Sequence, residues 1–208
     1  MSVFDYANVH LRKRGRPDGY VVRVVAEQAG AVRSDTLMAL EATETLVALA
    51  HQGVGCTVII VGSRNIELAL ADSPGLVAWA AQVAPQVDRM IALCSGSFFL
   101  AAAGLLEGRR AATHWSVSDL LQQRYPAIEV DADAIYVRDG GLWTSAGVTA
   151  GIDLALAVVE EDFGHALALE VARDLVVYLK RPGGQSQFSV QLASQSTGQN
   201  SEASKTLF

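Results

Sequence analysis

Three short runs, YVVRVVA (residues 20–26), CTVIIVG (56–62) and MIALC (90–94), are rich in β-branched and apolar residues and are separated by longer stretches with helical patterning. Few architectures accept this alternation. Each run is short and nearly continuous in apolar character, as a strand covered on both faces requires, and parallel neighbours need a crossover segment between them. The expectation is an α/β domain with a mostly parallel sheet and helices on its faces. Helical signals occupy residues 43–51, 65–71 and 74–84, the last opening with Pro74 after Ser73. A further helix is expected at 116–125, where Ser and Asp stand near the start. Residues 135–137 and 142–144 read as a hairpin turned by Asp139-Gly140-Gly141. Residues 148–162 are apolar nearly all round apart from Asp153 and an acidic end, which predicts a buried helix. Leu167, Val171, Leu175 and Leu179 form a one-sided stripe four residues apart, in a helix expected from His165 to Lys180.

The third strand runs straight into a helix in IALCSGSFFLAAAGLL (91–106), and Cys94 falls at the corner. A strand that turns sharply into a helix strains its corner residue and needs small neighbours, here Ala92 and Gly96. That is a nucleophile-elbow layout. The positive end of the following helix would favour thiolate over thiol. A small buried core cysteine fits the same local pattern.

Composition narrows the function classes. A chain of 208 residues, 50% hydrophobic and 18% charged, is long enough for one main globular domain. The longest uncharged run, residues 90–106, is interrupted by Ser95, Gly96, Ser97 and Gly104, so no membrane span is expected. The polar N-terminus carries Arg12, Lys13, Arg14 and Arg16 without an apolar segment, so no signal peptide is read and the cytoplasm is the expected compartment. Cys56 and Cys94 make neither a disulfide framework nor a metal cluster, and no cofactor motif is present. A net charge of -6 argues against nucleic-acid binding by this chain alone, and HLRKRGR (10–16) reads as a solvated helix end.

Three long motifs carry a resemblance: LCSGSFFLAAAGLLEGRRAATHW (93–115), LWTSAGVTAGIDLALAVVEED (142–162) and VARDLVVYLKRPGGQSQFS (171–189). In this order they resemble the amidotransferase-like, ThiJ/PfpI-type domain at the N-terminus of the GlxA-like branch of AraC-family transcriptional regulators. The resemblance runs from about Phe4 to Ser189 and implies a flavodoxin-like three-layer sandwich, a homodimer, and a sensor domain coupled to a C-terminal helix-turn-helix module that contacts DNA. It divides the chain into a regulatory domain, 1–189, and a polar linker or tail, 190–208, too short for that DNA-binding module. It also implies a strand before the first helix, for which MSVFDYAN has no counterpart.

Within the resemblance, Cys94 and His114 of the THW motif are the candidate catalytic pair, with a structural histidine beside Trp115 as the other reading of His114. His10, His51 and His165 lack motif context and are expected at the surface. Ser95 follows the cysteine where PfpI-type peptidases carry histidine, no His-x-Glu pair occurs in 144–153, and no orienting carboxylate is evident. The pair is therefore expected to be vestigial. Gly62, Ser63, Ser95, Thr144, Ser145 and Ala146 are expected to converge with Cys94 at the carboxyl ends of the strands, where open α/β sheets bind ligands. Backbone donors there would suit a small anionic or amide-like effector. Cys94 is also a candidate redox sensor, with Cys56 placed in the core rather than as its resolving partner. The runner-up is an isonitrile-hydratase-like cysteine enzyme, and a third reading is a domain that only dimerises and positions DNA-binding heads.

Overall fold

The computed structural model describes residues 1–34, 38–46, 55–181 and 184–185. Helix α1 (Ser2–Lys13) comes first, followed by β1 (Val25–Ala26), β2 (Gly30–Arg33), β3 (Ala39–Ala42) and β4 (Glu44–Thr45). Then come β5 (Thr57–Ile60), α2 (Ile66–Asp72), α3 (Pro74–Val83), β6 (Arg89–Leu93) and α4 (Ser97–Ala102). The remainder is β7 (Arg110–Ala111), α5 (Ser118–Arg124), β8 (Glu129–Val130), β9 (Tyr136–Asp139), β10 (Leu142–Ser145), α6 (Ala150–Phe163) and α7 (His165–Asp174).

The main sheet has the order β5-β6-β10-β9, with β5, β6 and β10 parallel and β9 returning antiparallel as the hairpin edge. Alternation along β6 explains the layers. Met90 and Ala92 face a core with Val58 and Ile60 of β5 and with Trp79, Phe98, Leu100 and Leu121 from α3, α4 and α5. Ile91 faces the other way, into a core with Trp143 of β10 and with Phe4, Leu11, Leu154 and Leu167 from α1, α6 and α7. Each fully buried Leu or Phe contributes about 1.5–3 kcal/mol, so both faces must be covered for the sheet to persist. The result is the expected flavodoxin-like sandwich with a mostly parallel sheet.

Several local expectations change. Of residues 20–26 only Val25–Ala26 is strand, paired with β4, while Val21 and Val22 are exposed. Among the described residues nothing pairs with the outer edge of β5, and Ile59 and Val61 beside it are exposed. The helix expected over 43–51 begins instead as strand β4, and residues 47–54, His51 included, lie outside the described residues. The stripe helix stops at Asp174 rather than Lys180. There Val176 turns left-handed (φ 56°), and the Val177 N–H reaches back to the Ala172 carbonyl, closing the helix end in Schellman fashion. Leu179 still packs on the α6/α7 core from outside the helix. The β2/β3 hairpin was not anticipated. The 190–208 tail lies outside the described residues.

His10 also departs from expectation. It is buried on α1 with Nε2 2.8 Å from Asp174 and Nδ1 3.1 Å from Glu170, so it ties α1 to α7 instead of facing solvent. His165 is exposed and pairs with Glu160.

Candidate functional site

The elbow is built by close backbone approach. Cys94 ends β6 with φ 57°, a left-handed conformation that costs a non-glycine residue roughly 1–3 kcal/mol and persists only where the surroundings impose it. Gly96, one step into the turn, lies against β5 so closely that a Cβ would stand 2.6 Å from the Ile60 carbonyl oxygen. Gly62 lies equally close to the elbow, its Cβ position 2.8 Å from the Ser95 nitrogen and 2.9 Å from that of Gly96. Missing side chains at both positions let β5 and the elbow touch.

Ser95 then locks that contact. Its buried hydroxyl donates to the Ser63 carbonyl at 2.7 Å and accepts from the Ser63 N–H at 3.0 Å. On the other side, Thr113 Oγ1 donates to the Cys94 carbonyl at 3.1 Å. Thr144 Oγ1 accepts the Ala112 N–H at 2.8 Å, which fixes the strand that delivers Thr113. The Ala146 N–H donates to the Ile135 carbonyl, and the Ser145 hydroxyl is buried without a hydrogen-bond partner among the described residues. The sequence-predicted residues Gly62, Ser63, Cys94, Ser95, Thr144, Ser145 and Ala146 therefore do cluster at the carboxyl ends of β5, β6 and β10. Thr144 and Ser95 direct their hydroxyls to backbone groups.

Cys94 and His114 are not joined. His114 Nδ1 accepts from the Ser116 N–H at 3.3 Å and lies 2.7 Å from the Ser116 hydroxyl. An accepting Nδ1 puts the proton of the neutral ring on Nε2, which is turned toward Gly147. The ring also lies against Trp115, centroids 5.4 Å apart. The thiol is half-buried, and burial pushes it above the usual thiol range; hydrogen bonds from the backbone and side chain of Ser95 oppose this without overcoming it. No charged group is among these influences. The helix-terminus argument for a thiolate thus loses to desolvation, because α4 has only six residues and a 3-10 turn intervenes. Burial raises Cys56 too, and as β5 and β6 are parallel, Cys56 at the start of one and Cys94 at the end of the other lie at opposite ends of the sheet.

A thiol whose pKa is raised stays protonated through neutral pH, and its alkylation climbs only as pH passes that value. The alkylation rate of Cys94 with iodoacetamide should accordingly still be rising above about pH 8.5, the ordinary thiol value. His114→Ala should leave this profile in place. A plateau below pH 8, or a profile displaced in the His114 variant, would show an activated pair that the geometry lacks.

Sequence reasoning missed Gln185. It is buried, its Nε2 donates to the Thr113 and Ala134 carbonyls at 3.2 and 2.9 Å, and its Oε1 accepts the Trp115 N–H at 3.1 Å. It also missed the bidentate pair between Arg181 and Asp153, whose carboxylate is almost entirely buried. Two cavities, about 510 and 440 Å³, lie away from the elbow, one lined by His10 and Glu170 and the other by Leu70 and Tyr125. Among the described residues no cluster of His, Cys, Asp or Glu is arranged for a metal ion, and no helix is long and apolar enough to cross a membrane.

Known proteins are similar to this chain in sequence and in fold. The HTH-type transcriptional regulator CdhR of Pseudomonas aeruginosa is 38% identical over 112 residues, 54% of this chain and 33% of its own length. Isonitrile hydratase of Pseudomonas putida is 49% identical over 81 residues, 39% of this chain and 34% of the hydratase. The matches thus span about a third of these curated relatives. In fold, an AraC family transcriptional regulator from Pseudomonas putida superposes with a TM-score of 0.70 at 24% identity, covering 84% of this chain and 89% of that one. The DJ-1/PfpI family model matches residues 5–161, the stretch that holds most of α1, the parallel sheet and the cysteine elbow, and the chain belongs to the DJ-1/PfpI family.

Proposed function

We propose that this chain is the regulatory domain of an AraC-type transcriptional regulator, sensing a small effector at the Cys94 elbow. One observation carries the reading: the elbow's close-packed architecture is intact while, among the described residues, the charges needed for catalysis are not beside the thiol. A nucleophilic cysteine needs a base in contact and an orienting group behind it, and here His114 is engaged by Ser116. Likeness to a protein named as a helix-turn-helix regulator supports the same reading. The effector would be small and anionic or amide-like, held by backbone donors of the crevice. DNA would be contacted through a separate helix-turn-helix module, with the domain as a homodimer in the cytoplasm, and residues 1–189 would form the sensing unit.

The test is a metabolite panel read by thermal shift on the whole chain, repeated with Cys94→Ala and Gly62→Ala. At a hundredfold excess over its Kd, a true effector adds about 2.7 kcal/mol of stability. A compound that shifts the melting of the parent chain and neither variant supports sensing at the elbow. A panel that shifts nothing, or shifts all three chains alike, overturns it.

A second reading rests on the 49% identity with isonitrile hydratase over 81 residues. Hydration of an isonitrile to a formamide, lost in Cys94→Ala, would establish it. The protonated thiol and the engaged His114 make the sensor reading the stronger of the two.

A further inference from the structure

We propose that Gln185 is the residue through which a change at Cys94 is transmitted to the carboxyl-terminal segment of the chain. The inference rests on the elbow being the sensing site, and its own support is a continuous set of hydrogen bonds. The Cys94 carbonyl, at the strained corner, accepts from Thr113 Oγ1. The carbonyl of that same Thr113 accepts from Gln185 Nε2, and the next-but-one N–H, that of Trp115, donates to Gln185 Oε1. The Gln185 N–H donates to the Asp133 carbonyl at 2.7 Å, and its side chain also reaches the Ala134 carbonyl. Only two side chains therefore separate the peptide of Cys94 from the backbone of Gln185.

Among the described residues, every bond made by the Gln185 side chain goes to backbone, at 113, 115 and 134. It reads the shape of two loops rather than any one side chain. Buried amides of this kind are either fully satisfied or costly, which makes the docked state cooperative with the loop conformation. A strained corner held by its surroundings is a natural place for such sensitivity, since relaxing φ at Cys94 rotates the carbonyl that Thr113 holds. A group added at the thiol that turned this peptide would pull Thr113 and Trp115 out of register with Gln185. The undocked glutamine would then let go of the Ala134 carbonyl as well, and position 185 would lose its anchor to the domain. Sequence alone places this residue in a polar run, so its burial is the observation that singles it out.

The experiment is amide hydrogen exchange on the whole chain, read at the Trp115 and Gln185 amides, which donate to Gln185 Oε1 and to the Asp133 carbonyl. Iodoacetamide is the probe at Cys94, used on a Cys56→Ser background because both thiols are free; the thiolate displaces iodide, and mass spectrometry confirms a single adduct. Alkylation should speed exchange at both amides by about tenfold or more, as local opening does. Thr113→Val removes the hydroxyl link without touching the thiol and should speed the Gln185 amide similarly. In Gln185→Met the Trp115 amide should exchange fast from the start and gain nothing on alkylation. Unchanged amides in both the alkylated chain and Thr113→Val would overturn the relay, even with effector sensing intact. Loss of the sensing reading with Thr113→Val still releasing Gln185 would leave the mechanical link standing.

Discussion

Gly96→Ala should lower the stability of the chain by about 3 kcal/mol, near the upper end of ordinary overpacking costs. The backbone angle is not the reason, since Gly96 has φ −57°, a value open to any residue. The reason is space. An added Cβ would sit 2.6 Å from the Ile60 carbonyl oxygen and 3.1 Å from the Val61 carbonyl carbon, and both are backbone atoms. A flexible side chain could swing aside, but Ile60 is held in register with Ala92 across the β5/β6 ladder. Relief therefore means parting two parallel strands or unwinding the elbow. Gly104→Ala is the control, because its Cβ would meet nothing within 4 Å and only its φ of +73° is strained, at about 1–2 kcal/mol. Urea denaturation of the two variants separates close approach from conformational strain. A loss at Gly96 smaller than that at Gly104 would mean the elbow is looser than the geometry shows.

The parts legible from sequence were those whose signal is local. β6 and its corner stand out because Met90–Leu93 is continuously apolar and Gly96 follows at a place where two backbones meet. The α6 helix and the β9/β10 hairpin emerged within two residues of expectation, since Gly140 and Gly164 supply their own left-handed turns. What depended on distant partners was not legible. Tyr20–Val24 has strand composition, yet strand formation requires a neighbour, and β5 has none on that side among the described residues. His10 looked like a surface residue on a basic helix end because Glu170 and Asp174, about 160 positions away, do not announce themselves. Gln185 was hidden in a polar stretch for the same reason. At the candidate site, position was readable and electrostatics was not: a helix start after Cys94 suggested a thiolate, while burial, a tertiary property, sets the opposite sign. His114 follows Thr113, which binds the Cys94 carbonyl, but its contact with Ser116 rather than Cys94 depends on a ring orientation that no spacing encodes.

The pair between Asp153 and Arg181 should show the other large effect. Arg181 Nε donates to Asp153 Oδ1 at 2.9 Å and a terminal guanidinium nitrogen reaches Oδ2, so the contact is bidentate, and the carboxylate is only 6% exposed. Removing the guanidinium strands a charge in the first turn of α6, where solvent cannot replace it. Arg181→Ala should cost about 3–5 kcal/mol, far beyond the 0–1 kcal/mol of an exposed pair such as Arg12 and Asp18. The double variant Asp153→Ala/Arg181→Ala should recover part of that loss, because the worse state is the unpaired buried carboxylate rather than the missing bridge. A single variant that loses under 1 kcal/mol would mean Asp153 reaches water when released. The pair also bears on the relay. It pins residue 181, four positions before Gln185, to the helix whose Gly151 lies beside Leu93, the residue before the elbow. With the pin removed, the hydrogen bond from the Gln185 N–H to the Asp133 carbonyl should open more often, so that this amide exchanges faster while the Thr113 link to Cys94 persists. Faster exchange at Gln185 without any change at the Thr113 link would establish that docking needs both anchors, the backbone groups it reads and the ion pair that delivers it.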